Sequence, residues 1–322
     1  MYGAHPTSIY KELGTGERTA LSRLAVQHLE STGRPFRLAV DISIWQFQIQ
    51  VTQGGKSPAL RTLYYRLVKL LSLSIQPIFV FDGPYRPSFK RGVRRAPFTS
   101  SVDNFLTKQL LKLFGFPFHD APGEAEAECA LLQREGIVDA VMSEDVDTMM
   151  FGSTLCLRNW TSEGSRGNKS PTHVDVYWSK RLKETSGLDC DGMMLVALMS
   201  GGDYVEAGIA NCGIKTSCQA ARAGFGKELC SIAKGDDEAL QCWRQKVQHE
   251  IRTNEVSYSF VPSQSGIVDS FSPSDNPTAI MFSLPFKLFP LMASSNTYVP
   301  LHREGISSKR RRLSSSLPIF PT

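Results

Sequence analysis

The sequence has no Cys-x-x-Cys pair, no run of eighteen apolar residues and no basic-then-apolar segment at its start. Each absence excludes a class. The seven cysteines (Cys129, Cys156, Cys190, Cys212, Cys218, Cys230 and Cys242) form an odd, irregularly spaced set. That argues for a reducing compartment and against a disulfide scaffold or a zinc site. Lack of a spanning apolar run predicts no membrane helix and no membrane partner, and the opening, without a basic-then-apolar segment, points to the same reducing compartment as the cysteines. No internal repeat is present. The chain of 322 residues is 41% hydrophobic and 21% charged, enough for one large core or a core with an appendage. A net charge of +5 is too mild to name a partner, so the placement of the charges must decide.

Up to about residue 230, short apolar β-rich runs alternate with longer helical patterns, which predicts an α/β fold with a parallel sheet and crossover helices. The runs are Phe36 to Val40, Ile75 to Phe81, Val138 to Met142, Thr154 to Leu157 and His173 to Tyr177. Pro58 to Ser74 predicts a helix with Leu60, Leu63, Tyr64, Leu67 and Leu71 on its inner face. Ser101 to Phe114 predicts another, and Glu124 to Glu135 a third, closed by Gly136. After about Asn254, Ser, Pro, Asn and Thr become frequent and the apolar period fades, which predicts an irregular, disordered tail. Lys309-Arg310-Arg311-Arg312 near its end suits a nuclear-import signal or a solvated charge run.

Acidic residues recur where strands end. Asp41 closes Leu38-Ala39-Val40, Asp82 closes Ile78-Phe79-Val80-Phe81, and Asp145 and Asp147 follow Ala140-Val141-Met142-Ser143. In an open parallel sheet, ligands gather beyond the carboxyl ends of the strands. One such Asp alone is most simply a helix cap or turn residue; three strand-end repetitions are not. A further acidic segment, Glu124-Ala125-Glu126-Ala127-Glu128, opens a helix, where acids also suit the helix dipole. Ideal helical spacing puts Glu124 and Glu128 on one face, whereas a pre-helical start aims Glu124 and Glu126 together; spacing alone leaves both open. Crowded carboxylates raise one another's pKa values unless cations compensate. A set of hard oxygen ligands suits Mg²⁺, with Mn²⁺ as substitute. Two such ions roughly 4 Å apart activate a water and stabilise the departing oxyanion of a phosphodiester.

Taken in order, Ala39-Val40-Asp41, Phe79-Val80-Phe81-Asp82-Gly83, Ala121-Pro122-Gly123-Glu124-Ala125-Glu126-Ala127, Ser143-Glu144-Asp145-Val146-Asp147 and Gly201-Gly202-Asp203-Tyr204 resemble the motifs of the XPG/flap-endonuclease (Rad2) superfamily. The likeness spans roughly residues 8 to 254. Glu12-Leu13-Gly14, Asp41-Ile42-Ser43-Ile44-Trp45 and Gly115-Phe116-Pro117-Phe118-His119-Asp120 are most similar to fungal members of its Holliday-junction-resolvase (GEN/Yen) branch. The resemblance implies a PIN-like nuclease fold followed by a helix–two-turn–helix DNA-binding element. Its regions are an N-terminal nuclease region at 1–100, an internal region at 101–200, the helical element at 201–254 and the tail at 255–322. It also implies that Asp41, Asp82, Glu124, Glu126, Asp145, Asp147 and Asp203 hold two Mg²⁺ ions, with Glu128 left structural. The implied activity is structure-selective cleavage of branched double-stranded DNA, at 5′ flaps and Holliday junctions, in repair and recombination. The implied protein is a nuclear monomer that pairs on four-way junctions.

Between Arg86 and Arg95 the bases Arg86, Lys90, Arg91, Arg94 and Arg95 occur without an acid and with Tyr85 and Phe89 interleaved. That mixture suits a single-stranded nucleic-acid arm, or else a solvated loop. By resemblance this is the helical arch or its remnant, and Lys90 matches the base that reaches the scissile phosphate. Arg94 and Arg95 are weaker counterparts of the second arch base. Gly208 to Thr216 misses a P-loop, because Lys215 comes one residue late and no strand precedes it. It fits better a hairpin between helices, with Gly208, Gly213, Lys215 and Thr216 gripping a duplex phosphate. By resemblance that hairpin also binds K⁺. The family's opening, Met-Gly-Ile-x-Gly-Leu-Trp, is replaced here until Ile9-Tyr10 resumes the pattern. A truncated or read-through gene product is therefore expected. The rivals are a plain 5′-flap endonuclease or 5′–3′ exonuclease, and a non-catalytic nucleic-acid-binding relative, whose mark would be lost acids.

Overall fold

A computed structural model describes residues 6–43, 45, 58–86, 89–90, 93–94, 102–163, 170–202, 208–209, 212–233 and 235–253. The chain opens with α1 (Pro6–Leu13), β1 (Glu17–Ala20), α2 (Leu21–Thr32), β2 (Phe36–Asp41), α3 (Pro58–Leu71) and β3 (Ile75–Phe81). A two-residue pair, β4 (Phe89–Lys90) and β5 (Val93–Arg94), precedes α4 (Val102–Leu113), β6 (Phe118–Asp120), α5 (Ala125–Arg134) and β7 (Ala140–Met142). Then come α6 (Asp147–Met150), β8 (Leu155–Thr161), β9 (His173–Trp178), α7 (Ser179–Ser186) and α8 (Cys190–Ser200). The last three helices are α9 (Ile214–Arg222), α10 (Phe225–Ser231) and α11 (Asp237–Thr253).

Among the described residues seven strands form one sheet, ordered β1-β9-β8-β7-β2-β3-β6. The expected parallel sheet is mixed instead. From β6 through β3, β2 and β7 to β8 the neighbours run parallel, whereas β9 pairs antiparallel with both β8 and β1. The reason is chain length: eleven residues separate Thr161 from His173, fewer than a parallel crossover needs, so the chain turns back as a hairpin. With helices on both faces, this is the PIN-like arrangement.

Period-two alternation distributes the strands between two cores. Leu38, Val40, Phe79, Phe81, Ala140 and Met142 point to one face, where they meet Leu63, Leu67 and Leu70 of α3 and Leu111 of α4. Ala39, Val80 and Val141 point to the other, against Ala125, Cys129 and Leu132 of α5. Burial on both faces explains why these strands read as continuous apolar runs. The inner stripe of α3 differs from expectation: Leu70 is buried, whereas Tyr64 is 46% and Leu71 55% exposed. The packed row is therefore Leu63-Leu67-Leu70, rotated from the expected face.

At the amino end of the central strands, Asp139 joins β2 to β7. Arg34 donates both Nη groups to its two oxygens at 2.7 Å, and Arg37 adds its backbone N–H at 2.9 Å and Nη2 at 2.7 Å. Burial pushes this carboxyl up, but the hydrogen bonds from Arg34 and Arg37 outweigh it and hold the pKa well below 3.8. Asp139→Asn is expected to cost about 2–3 kcal/mol at pH 7, since hydrogen bonds to a buried charge are lost and two guanidinium groups are left facing an amide. The contribution of a depressed carboxylate is complete above its unfolded value and shrinks as pH falls toward the folded one. The gap between wild type and variant should accordingly narrow below about pH 4. Urea titrations at pH 7 and pH 3 check this; an equal gap at both would rule out the charge-assisted account.

Candidate metal centre

The strand parity that builds the core also aims the acids. Asp41 shares parity with Ala39, Asp82 with Val80, and Ser143 with Val141, so all three leave the sheet on the side covered by α5. Four adjacent parallel strands, β7, β2, β3 and β6, feed this one edge. Glu124 belongs to the same logic, because it follows β6 through the loop Ala121-Pro122-Gly123.

Backbone contacts fix the edge closely. Phe81 O accepts from Ala121 N–H at 2.9 Å, Gly83 N–H donates to Gly123 O at 2.7 Å, and Tyr85 N–H to Pro122 O at 3.0 Å. A Cβ on Gly83 would stand 1.7 Å from Ala121 O, so only glycine admits this contact. Asp82 Oδ1 then accepts from Ala125 N–H at 2.9 Å, capping α5 from a different strand. Arg86 Nη1 lies 3.5 Å from the other Asp82 oxygen.

Asp41 is 2% exposed. It accepts from Ser43 N–H at 3.0 Å and from the Ser143 hydroxyl at 3.1 Å. The same hydroxyl accepts Asp145 N–H at 3.2 Å, and Asp145 Oδ1 accepts Asp147 N–H at 3.1 Å. A chain of hydrogen bonds thus runs from β2 through Ser143 to both later acids. Burial, then the charge of Asp82, pushes the Asp41 carboxyl up to about 6, against the pull of its hydrogen bonds. Carboxylate oxygens of Glu126, Asp145 and Asp147 lie within 4.8 Å of one another. Glu124 and Glu126 are both buried, at 5% and 6% exposure.

The local start of α5 explains how the three glutamates divide. Glu124 has extended backbone, φ −80° and ψ 141°, and stands outside the helix, so a helical-face count beginning at Glu124 does not apply. Glu128 turns to His119 Nε2 at 2.7 Å. Asp203, Arg91 and Arg95 lie outside the described residues, as do the side chains of Lys90 and Arg94, whose backbones form the β4–β5 pair with Lys90 opposite Val93. Ser143 joins Asp41 to Asp145, a role that its place inside the Ser143-Glu144-Asp145 motif does not by itself disclose. The Asp82–Arg86 pair has no sequence signal, because residues 82–86 form a turn, where a spacing of four does not by itself bring side chains together.

In the helical part, Gly208 has φ +55° and its position for a Cβ lies 2.4 Å from Gly201 N, while Ile209 N–H donates to Met199 O at 2.7 Å. These contacts return the chain to the end of α8. Gly213 precedes α9 with open space where a Cβ would go; Lys215 is exposed and Thr216 buried. Gly226 sets α10 against α8, where a Cβ would meet Asp191 O at 2.5 Å.

Two family descriptions match the chain: the XPG N-terminal domain over residues 17–96 and the XPG I-region over 115–203. Flap endonuclease GEN homolog 1 of Mus musculus is 31% identical over 199 residues, covering 55% of this chain and 21% of that protein. The chain thus spans about a fifth of the length of that curated relative. The solved junction-resolving enzyme GEN1 in complex with product DNA and Mg²⁺ is 48% identical, with a TM-score of 0.71 over 94% of this chain and 72% of that one. GEN-1 binding with potassium is 46% identical, with a TM-score of 0.72 over 96% and 73% of the two chains. With its carboxylates gathered at one sheet edge and these likenesses, the chain belongs to the XPG/flap-endonuclease (Rad2) family, on its GEN branch.

Proposed function

We propose that the chain is a Mg²⁺-dependent, structure-selective endonuclease that hydrolyses one strand of branched DNA. The observation that carries this is the joining of Asp41 to Asp145 and Asp147 through Ser143, beside Glu126 and next to Asp82. The described donors are all carboxylates, which suits Mg²⁺ or Mn²⁺. Asp41, Asp82, Glu124, Glu126, Asp145 and Asp147 would hold the ions, with Asp203 as the seventh ligand. Bound there, two divalent cations supply Lewis acidity to the attacking water and to the departing oxygen.

The remaining work falls to the protein. The buried acids fix the cations' places before DNA arrives, so little reorganisation accompanies reaction. Lys90, with Arg91, Arg94 and Arg95 near it in sequence, supplies positive charge for the cleaved strand. Backbone N–H groups at Gly208, Gly213, Lys215 and Thr216 would grip a duplex phosphate at the start of α9. K⁺ would sit at that hairpin, as the relative solved with potassium suggests. The chain would act in the nucleus on 5′ flaps as a monomer and on four-way junctions as a pair.

The test is cleavage of end-labelled 5′-flap and four-way-junction DNA in Mg²⁺ and in EDTA. Cutting at the branch in Mg²⁺ alone is expected; binding without cutting in Mg²⁺ or Mn²⁺ would leave a DNA-binding protein. Lys90→Ala should lower the single-turnover rate about 10²-fold, the scale of one lost charge-stabilising group. DNA affinity measured in Ca²⁺ should change little. An unchanged single-turnover rate removes Lys90 from the chemistry.

A further inference from the structure

The segment bearing Asp145 and Asp147 is braced from behind. Tyr10, on α1, donates its hydroxyl to the Glu144 carbonyl at 3.3 Å, and Arg158, on β8, donates Nε to the same oxygen at 3.1 Å. The Glu144 carboxylate is held as well, by Asn159 N–H at 2.7 Å and by Arg158 Nη2 at 3.5 Å. The two braces are coupled: the Arg158 guanidinium lies 3.4 Å above the centre of the Tyr10 ring, which packs 5.7 Å from that of Tyr177. Burial pushes the Tyr10 hydroxyl well above its ordinary value despite the Arg158 charge, so it remains a donor throughout the working range.

Glu144 lies between Ser143, whose hydroxyl bonds Asp41, and Asp145. A clamped Glu144 peptide therefore fixes both neighbours in direction. The same short helix reaches the helical part, where Glu12 pairs with Arg222 of α9 at 3.2 Å and Arg222 Nε donates to Ser186 O at 2.7 Å.

We propose, on the cation-site reading above, that Tyr10 and Arg158 are positioning residues for the carboxylate cluster. By clamping the Glu144 carbonyl they set Asp145 and Asp147 against Asp41 before any cation binds. Groups that orient a metal's ligands typically change its affinity 10- to 100-fold when lost.

Mn²⁺ binding to the DNA-free full chain, followed by electron paramagnetic resonance of the free ion, tests this. Tyr10→Phe keeps the ring beneath the guanidinium and removes only the hydroxyl, and Arg158→Met removes the charge. Asp139→Asn, at the opposite end of the central strands from the cluster, is a control for instability alone. Tyr10→Phe and Arg158→Met should each weaken Mn²⁺ binding about tenfold. Both should also need more Mg²⁺ for half-maximal flap cleavage, with the full rate recovered at high Mg²⁺. Asp139→Asn should melt earlier and bind Mn²⁺ normally. Unchanged affinity in Tyr10→Phe, or an equal loss in Asp139→Asn, overturns the proposal. Should Arg158→Met not fold, Tyr10→Phe alone decides. A wild-type chain that binds no Mn²⁺ brings down the cation-site reading and this inference together.

Discussion

Asp41→Asn is expected to slow cleavage about a thousandfold while making the cation-free protein more stable. The two effects have one origin. Asp41 is buried beside Asp82, and its ionised form is disfavoured enough to lift its pKa to about 6. At pH 7 without cations the fold therefore bears a charge that it would hold more cheaply as a neutral group, a burden of the order of 1–3 kcal/mol. Asparagine keeps an acceptor for Ser43 N–H and a partner for the Ser143 hydroxyl, while removing the charge. In EDTA the variant should melt a few degrees above wild type. Added Mg²⁺ should raise the wild-type Tm more than the variant's, because only a native state that binds cations gains from them. Cleavage should fall about a thousandfold, since several kcal/mol of cation-borne stabilisation are lost at roughly 1.4 kcal/mol per decade. Calorimetry with and without Mg²⁺, alongside single-turnover cleavage, checks both arms. A variant that melts below wild type in EDTA contradicts the electrostatic origin, and one that cuts at the wild-type rate removes Asp41 from the site.

The acids at Asp41, Asp82 and Asp145 stood out in the sequence because a buried strand is an apolar run and a carboxylate ends it abruptly. Their convergence on one side follows from period two, which the sequence also carries. What stayed hidden depends on contacts between distant residues. β6 has only three residues and exists through its pairing with Phe79–Phe81. β1, Glu-Arg-Thr-Ala, has no apolar alternation, and becomes a strand by lying along β9. The division of labour among Glu124, Glu126 and Glu128 turned on whether the helix starts at 124 or 125, a one-residue difference that rotates the face by about 100°. Asp82's bond to Ala125 sets that boundary, and it joins residues 43 apart in sequence. Tyr10 and Arg158 are invisible for the same reason, being ordinary surface-helix and strand residues until they meet over Glu144.

That dependence on distant backbone contacts makes Gly83 the most sensitive uncharged position of the site. Gly83→Ala places a methyl group 1.7 Å from Ala121 O and 2.6 Å from Pro122 O, and both obstacles are main chain that cannot swing aside. Relief requires the Ala121–Glu124 loop to move off the end of β3. The Gly83–Gly123 and Tyr85–Pro122 hydrogen bonds would then stretch, and Asp82 would lose its hold on Ala125. Overpacking of this kind costs about 2–3 kcal/mol or more. The functional loss should be larger than stability alone explains, because a shift of about 1 Å between reacting groups lowers rates about 10²-fold. Gly123→Ala is the matched control on the other side of the same contact: its Cβ would meet only Tyr85 O, at an ordinary 3.8 Å, and its backbone has no positive φ. It should keep most of the wild-type Tm and cleavage rate. If Gly83→Ala melts and cuts like Gly123→Ala, the close approach of these two segments is not what holds Asp82 and Glu124 in one site.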